Sequence, residues 1–204
     1  ISYSRNAQLT LEEVLENKFS QWISFLSEIA KISHEYNKRK KESNAMDFDD
    51  LLTNLLMLLS VGRDAPMARL GDGRETPHRD VSTMNNVLQK YASQFSFILV
   101  DEYQDTNKIQ AAIIKNLSVV HNNVLVVGDD AQSIYSFRAA DVKNILNYEK
   151  EYPNAKIFKL ETNYRSTEEI LKVANNVISN NVEQYRKELR VAGVGANGRS
   201  PLRL

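Results

Sequence analysis

The sequence has no cysteine, which excludes a disulfide framework and any thiolate metal site. That absence suits a reducing compartment, and a cytoplasmic location is the expectation. Neither sign of charge is in excess: Lys and Arg number 26, as do Asp and Glu. Global charge therefore selects no partner, and any surface for nucleic acid has to be a local patch. No apolar run reaches the ~18 residues a membrane-spanning helix takes, and no signal-peptide pattern is present. Glycine and proline are scarce and unevenly spread. Three of the 7 glycines and two of the 4 prolines fall between Val61 and Asp80, which marks that stretch as a long loop. Three more glycines fall between Val191 and Leu204, where a ragged tail is expected. The first residue is Ile1 rather than Met, so a piece of a longer protein is expected. Its 204 residues suffice for one good core or two small ones.

What is present begins with helical spacing. Leu11, Val14, Leu15, Trp22, Phe25, Leu26, Ile29 and Ile32 predict one long helix from Leu11 to Lys40. Thr10 and Glu13 form a capping box at its start, and Lys38-Arg39-Lys40-Lys41 closes it as a solvated, positively charged end. A second helix starts near Asp47 and a third covers roughly Val81 to Ala92. The period then changes. Phe97 to Val100 and Val124 to Val127 are short apolar runs rich in β-branched residues, which predicts strands buried on both faces. The helical spacing of Ile109, Ala112, Ile113 and Leu117 between them makes a βαβ unit with a parallel strand pair. A helix near Val142 to Glu149 leads to a third expected strand, Ile157 to Leu160. Ser166 and Glu169 then predict a second capping box.

Each expected strand runs into a polar cluster. Phe97 to Val100 meets Asp101-Glu102-Tyr103-Gln104-Asp105, Val124 to Val127 meets Gly128-Asp129-Asp130-Ala131-Gln132, and Ile157 to Leu160 meets Glu161-Thr162-Asn163-Tyr164-Arg165. In open parallel sheets ligands bind beyond the carboxyl ends of the strands, so the three clusters are expected on one edge. A first carboxylate at such an end can hold Mg²⁺ and a second can orient or deprotonate a water. Nucleotide hydrolysis uses that arrangement. Against it stands the simpler role of helix capping, which either Asp105 or Thr106 can fill. No G-x-x-x-x-G-K-[ST] occurs in the chain, so the metal-and-water half of a nucleotide site is present without that phosphate-binding loop.

These residues carry a resemblance. "VDEYQDTN" resembles motif II of the UvrD/Rep-like superfamily 1A DNA helicases, "VVGDDAQSIYSFRAAD" is similar to their motif III and "LETNYRST" to their motif IV, in the same order and spacing. "DFDDLL" is similar to the segment that precedes motif II. The likeness covers Asp47 to about Asn181, and the N-terminal helix less surely. It implies an α/β fold: part of a RecA-like, P-loop NTPase motor domain with a parallel sheet, and a mainly helical inserted subdomain. Residues 1–92 would be the helical, 1B-like subdomain, 93–165 part of motor domain 1A, and 166–204 the start of domain 2A. The implied function is ATP-dependent 3′-to-5′ unwinding of DNA, of the kind used in DNA repair, with ATP and Mg²⁺ as cofactors. The implied partners are single-stranded DNA and duplex junctions. Residue by residue, Asp101 would hold Mg²⁺, Glu102 would activate the hydrolytic water and Gln132 would contact the γ-phosphate. Tyr164 would pack on adenine and Arg165 would reach the γ-phosphate. Tyr135 and Phe137 would meet bases, with Arg138 in support. Many family members carry Trp where Phe137 stands.

Without motif I the chain alone is expected to be inactive. Competing readings are a subunit of a helicase-nuclease, a non-catalytic DNA-binding relative of the fold, and a metal-dependent hydrolase using Asp101, Asp105 and Asp129. Core packing of Ile134 and Phe137 is the simpler alternative to base stacking.

Overall fold

The computed structural model describes residues 1–60 and 81–192. The expected loop Val61 to Asp80 lies outside them, as does the expected tail Val191 to Leu204 except for its first two residues, of which Val191 ends a short strand. The described chain divides into two compact units. The first comprises Ile1–Asp129 and Ser133–Asn144; the second comprises Asp130–Gln132 and the chain from Ile145 onward.

The first unit opens with α1 (Ser2–Ala7) and α2 (Leu11–Lys18). The Thr10 hydroxyl accepts from the Glu13 N–H at 3.1 Å and the Glu13 carboxylate accepts from the Thr10 N–H at 2.7 Å. This is the expected capping box, which satisfies two backbone N–H groups at the helix start. The single helix expected from Leu11 to Lys40 is not formed. After Lys18 the chain tightens into a 3₁₀ turn, Ser20–Phe25, and only then resumes as α3 (Leu26–Glu42). The break centres on Phe19, whose φ of −132° leaves the helical region and whose ring meets Tyr3 edge-on at 6.0 Å. The Asn17 side chain also donates to the Glu13 carbonyl at 2.7 Å, a local bond that competes with helix continuation.

The basic run that ends α3 is solvated only in part. Arg39–Glu35 at 2.9 Å and Lys38–Glu42 at 3.9 Å are exposed surface pairs that solvent screens. Lys40 departs from the expectation. Its side chain is 12% exposed and its Nζ lies 2.6 Å from both Asp47 Oδ2 and Asp50 Oδ2. Arg5 of α1 adds contacts to Asp50 at 3.0 Å and Asp47 at 3.4 Å. Burial opposes ionisation of Asp47, but hydrogen bonds from Lys40, the Asp50 N–H and the Tyr36 hydroxyl outweigh it. They hold the carboxyl well below the usual carboxylate range. The Asp47 carboxylate also accepts from the Asp50 N–H at 2.8 Å, and the Asp50 carboxylate from the Asp47 N–H at 3.0 Å, at the start of α4 (Phe48–Ser60), where a helix is expected.

After α5 (Val81–Gln94) come β1 (Ile98–Val100), α6 (Lys108–Leu117) and β2 (Val124–Val126). The strands pair in parallel, Ile98 with Val124, Leu99 with Leu125 and Val100 with Val126, so the expected βαβ unit forms. Leu59, Leu88, Ala92, Ile109 and Ile113 make one core shared by α4, α5 and α6. Each buried Leu or Ile adds roughly 1.5–3 kcal/mol of hydrophobic stabilisation. The strands are not buried on both faces: the register partners Leu99 and Leu125 are 72% and 53% exposed. Side chains alternate across a strand, and no described element covers that face. The cap of α6 is Asn107 rather than Asp105 or Thr106. Its side chain accepts from the Gln110 N–H at 2.9 Å and Gln110 returns the bond at 3.0 Å. Asn107 also donates to Asn6 of α1 at 3.0 Å, and Asn6 donates to Asp49 at 2.8 Å.

In place of the one helix expected near Val142 to Glu149 stand two short ones, α7 (Lys143–Leu146) and α8 (Tyr148–Glu151), parted at Asn147. The second unit then contains β3 (Thr162–Asn163), α9 (Glu168–Ile178) and β4 (Arg190–Val191), with β3 and β4 parallel. The strand expected at Ile157 to Leu160 is not formed. Phe158 and Leu160 are each 80% exposed, and the ladder sits at Glu161 to Asn163, where the Arg190 and Ala192 N–H groups bond at 2.8 and 2.9 Å. The capping box expected from Ser166 is also absent. Asn163 Oδ1 takes the N–H groups of Arg165 and Ser166 at 2.8 Å each, which moves the cap position to Thr167. Helices and small parallel sheets together make a mixed α/β chain. No helix among the described residues is long and apolar enough to cross a membrane.

Candidate nucleotide and nucleic-acid site

Backbone bonds close the mouth of the βαβ unit: Val127 N–H to Val100 O at 2.8 Å and Tyr103 N–H to Val127 O at 2.9 Å. The two carboxylates follow β1 directly. Asp101 Oδ1 accepts from the Glu102 N–H at 2.9 Å. Glu102 adopts φ 50° and ψ 42°, a left-handed conformation that costs a non-glycine residue about 1–2 kcal/mol. The next three residues form a 3₁₀ turn whose Tyr103 and Gln104 are buried, while Asp101 and Glu102 remain exposed at the carboxyl edge of the strand pair.

Gln104 has no role in the sequence reading, yet it organises this loop. Its Nε2 donates to Glu102 Oε2 at 2.7 Å and its Oε1 accepts from the Asp129 N–H at 3.0 Å. The available signal was a donor-acceptor side chain set among three acids at the end of an apolar run. Asp105 is half-buried, and its Oδ1 is enclosed without a hydrogen-bond partner. Among the described residues no three His, Cys, Asp or Glu side chains converge as a metal set. That argues against a three-carboxylate hydrolase built on Asp101, Asp105 and Asp129. One or two exposed carboxylates at a strand end do fit Mg²⁺, which keeps several waters and takes its other ligands from substrate phosphates.

A second cluster lies after β2. Residues Ser136–Arg138 form a 3₁₀ turn closed by Ala139 at φ 64°. The Arg138 guanidinium stands 5.5 Å from the Tyr135 ring centre and 5.3 Å from that of Phe137, and the two rings are 5.9 Å apart. Ile134 and Phe137 are not core residues: Phe137 is 62% exposed and Ile134 is exposed with it. The turn is anchored by Lys18 Nζ on the Ser136 carbonyl at 2.9 Å and by the Asp141 N–H on the Thr106 carbonyl at 3.0 Å. A pocket of about 370 Å³ is lined by Asp105, Asn107, Gln110, Tyr135 and Arg138.

The other site residues lie in the second unit. Gln132 is exposed on the short turn Asp130–Gln132, which is anchored through Asp130 to Lys187 at 2.9 Å and to the Tyr185 N–H at 3.0 Å. Tyr164 and Arg165 follow β3, and both are exposed. Glu168 pairs with Lys172 at 2.8 Å, and the Glu169 carboxyl is held below its usual range by its own N–H and the Thr167 hydroxyl. Among the described residues the Arg165 guanidinium forms no ion pair.

The sequence profile of the UvrD/REP helicase N-terminal domain matches residues 1–153. The chain belongs to that family. Relatives include the ATP-dependent DNA helicase PcrA of Bacillus subtilis (strain 168), 38% identical over 161 residues, which cover 79% of this chain and 19% of the relative. The protein of the same name from Staphylococcus aureus (strain Mu50) is 40% identical over 164 residues, 80% of this chain and 20% of the relative. That of Leuconostoc citreum is 40% identical over 166 residues, 81% and 19%. The chain thus spans about a fifth of the length of these relatives. The UvrD/REP match extends the likeness seen in the motifs back to Ile1, so α1 to α3 belong to the family region as well.

Proposed function

We propose that the chain is part of an ATP-dependent DNA helicase that couples ATP hydrolysis to 3′-to-5′ translocation on single-stranded DNA and opens duplexes at junctions, in the cytoplasm. The observation that carries this reading is the Asp101–Glu102 pair at the carboxyl end of a parallel strand, with the Glu102 carboxylate held by a buried amide. Family membership supports it. In this reading residues 93–165 are part of a RecA-like motor domain 1A, residues 1–92 the helical subdomain and 166–204 the start of domain 2A, although α4 and α5 share their core with α6.

Glu102 takes the proton of the attacking water, and Asp101 offers a carboxylate oxygen to Mg²⁺. When bound with ATP, Mg²⁺ supplies neutralisation of phosphate charge. Gln132 senses the γ-phosphate, Tyr164 packs on the adenine and Arg165 stabilises charge on the transferring group. Tyr135 and Phe137 offer faces on which any base stacks, and Arg138 braces both rings.

Three expectations test the reading. The 204-residue chain, which contains no G-x-x-x-x-G-K-[ST], turns over no ATP above background with saturating single-stranded DNA. The full-length protein shows DNA-stimulated turnover and displaces a strand only from substrates with a 3′ tail. Robust turnover by the 204-residue chain that Glu102→Gln abolishes would overturn the first, and unwinding from a 5′ tail the second. Tyr135→Ala in the full-length protein weakens single-strand binding by about 1–3 kcal/mol, to a similar degree on different base sequences. Fluorescence anisotropy measures this; unchanged affinity with a lowered melting temperature assigns Tyr135 to packing alone.

A further inference from the structure

Gln104 is 1% exposed and uses its amide at both ends. A carboxylate only accepts and a backbone N–H only donates, so one orientation of the amide serves Glu102 and Asp129 together. Its second Nε2 hydrogen faces Asp105 Oδ2 at 3.4 Å, and the Gln104 main chain is held separately, its backbone carbonyl accepting from the Ser133 hydroxyl at 3.4 Å. The amide is therefore fixed by its surroundings before it touches Glu102. Glu102 has the opposite character: it is exposed, and its backbone is in a left-handed conformation. Among the described residues no other hydrogen bond holds its carboxylate, and its N–H is bonded to Asp101.

We infer that Gln104 is the positioning residue for the Glu102 carboxylate. It holds one oxygen so that the other is presented to the attacking water, and it ties that carboxylate to the segment after β2 through the Asp129 N–H. The inference rests on the reading of Glu102 as the base. It differs from a purely structural role, in which Gln104 joins the ends of β1 and β2 and the bond to Glu102 is incidental.

The test is a double-mutant cycle in the full-length protein, read as DNA-stimulated ATP turnover and ATP affinity. Gln104→Met keeps the side chain's length and removes both polar groups. Gln104→Asn keeps an amide but is a methylene too short to span from the Asp129 N–H to Glu102. Each is expected to lower kcat by about 10- to 100-fold, as small misplacement of a reacting group does, while ATP affinity stays within about 3-fold. In the Glu102→Gln background the same changes add no further loss, because the group being positioned no longer acts. A structural role predicts equal losses in both backgrounds, with ATP affinity falling alongside kcat; that result, or a folded Gln104→Asn with normal kcat, overturns the inference. If Gln104→Met does not fold, Gln104→Asn decides. Should Glu102→Gln itself retain turnover, it is the assignment of the base that fails, and the two failures are thereby told apart.

Discussion

Glu102→Gln in the full-length protein binds ATP as the unaltered protein does and hydrolyses it about 10²–10⁴-fold more slowly, the usual contribution of a general base. The expectation follows from the loop geometry. An amide matches a carboxylate in size and still offers an oxygen to Gln104 Nε2, now 2.7 Å from Glu102 Oε2, so the left-handed turn and its anchors remain. What the amide cannot do is accept a proton. Asp101, whose Oδ1 is bonded to the Glu102 N–H, keeps its place, and with it the carboxylate offered to Mg²⁺. Steady-state turnover with saturating single-stranded DNA, beside equilibrium binding of a fluorescent ATP analogue, measures both halves. Turnover within a few-fold of normal would remove Glu102 from the role of base.

Arg165→Lys is expected to keep its fold and much of its ATP affinity while its ATPase rate falls by at least about 10²-fold, the range for a charge-stabilising group. The alternative is a surface ion pair worth roughly 0–1 kcal/mol, which a lysine preserves. Local structure disfavours that alternative: Glu168 is taken by Lys172, and Glu169 by its own N–H and Thr167. The Arg165 backbone is fixed by Asn163, so the exposed guanidinium projects from a held position. A planar fork that bonds two phosphate oxygens at once is not replaced by an ammonium of different reach. Circular dichroism beside the ATPase assay separates a folding defect from a catalytic one. Near-normal turnover in a folded Arg165→Lys protein sinks the assignment.

The readable parts of this chain are those decided locally. The βαβ unit follows from two β-branched runs with helical spacing between them, and the Thr10–Glu13 box from residues three apart. Misreadings arise where a distant or competing partner decides. The Phe19 break depends on Tyr3, and Lys40 is drawn from solvent by Asp47 and Asp50 in company with Arg5. Ile157 to Leu160 has the composition of a strand, but composition cannot tell whether a neighbouring strand is at hand. Ser166 loses its capping role because Asn163 claims its N–H first. In the candidate site the acids, aromatics and arginines stand out by type. Gln104 does not, because its importance lies in a bond to a backbone 25 residues away.

The Asn6–Asn107 bond has a consequence for the order in which the molecule is made. Its partners are 101 residues apart, so at ~5–20 residues per second the ribosome releases the second roughly 5–20 s after the first. Throughout that interval α1 is a six-residue helix, too short to persist alone. Its contacts with Asp49 and Asp50 of α4 can form earlier, but its docking on α6 comes late, and closure of so long a loop carries an entropic cost that the finished core must already be able to offset. Although made before α6, α1 thus settles on it late, on the residue that caps α6, two positions beyond the acidic loop.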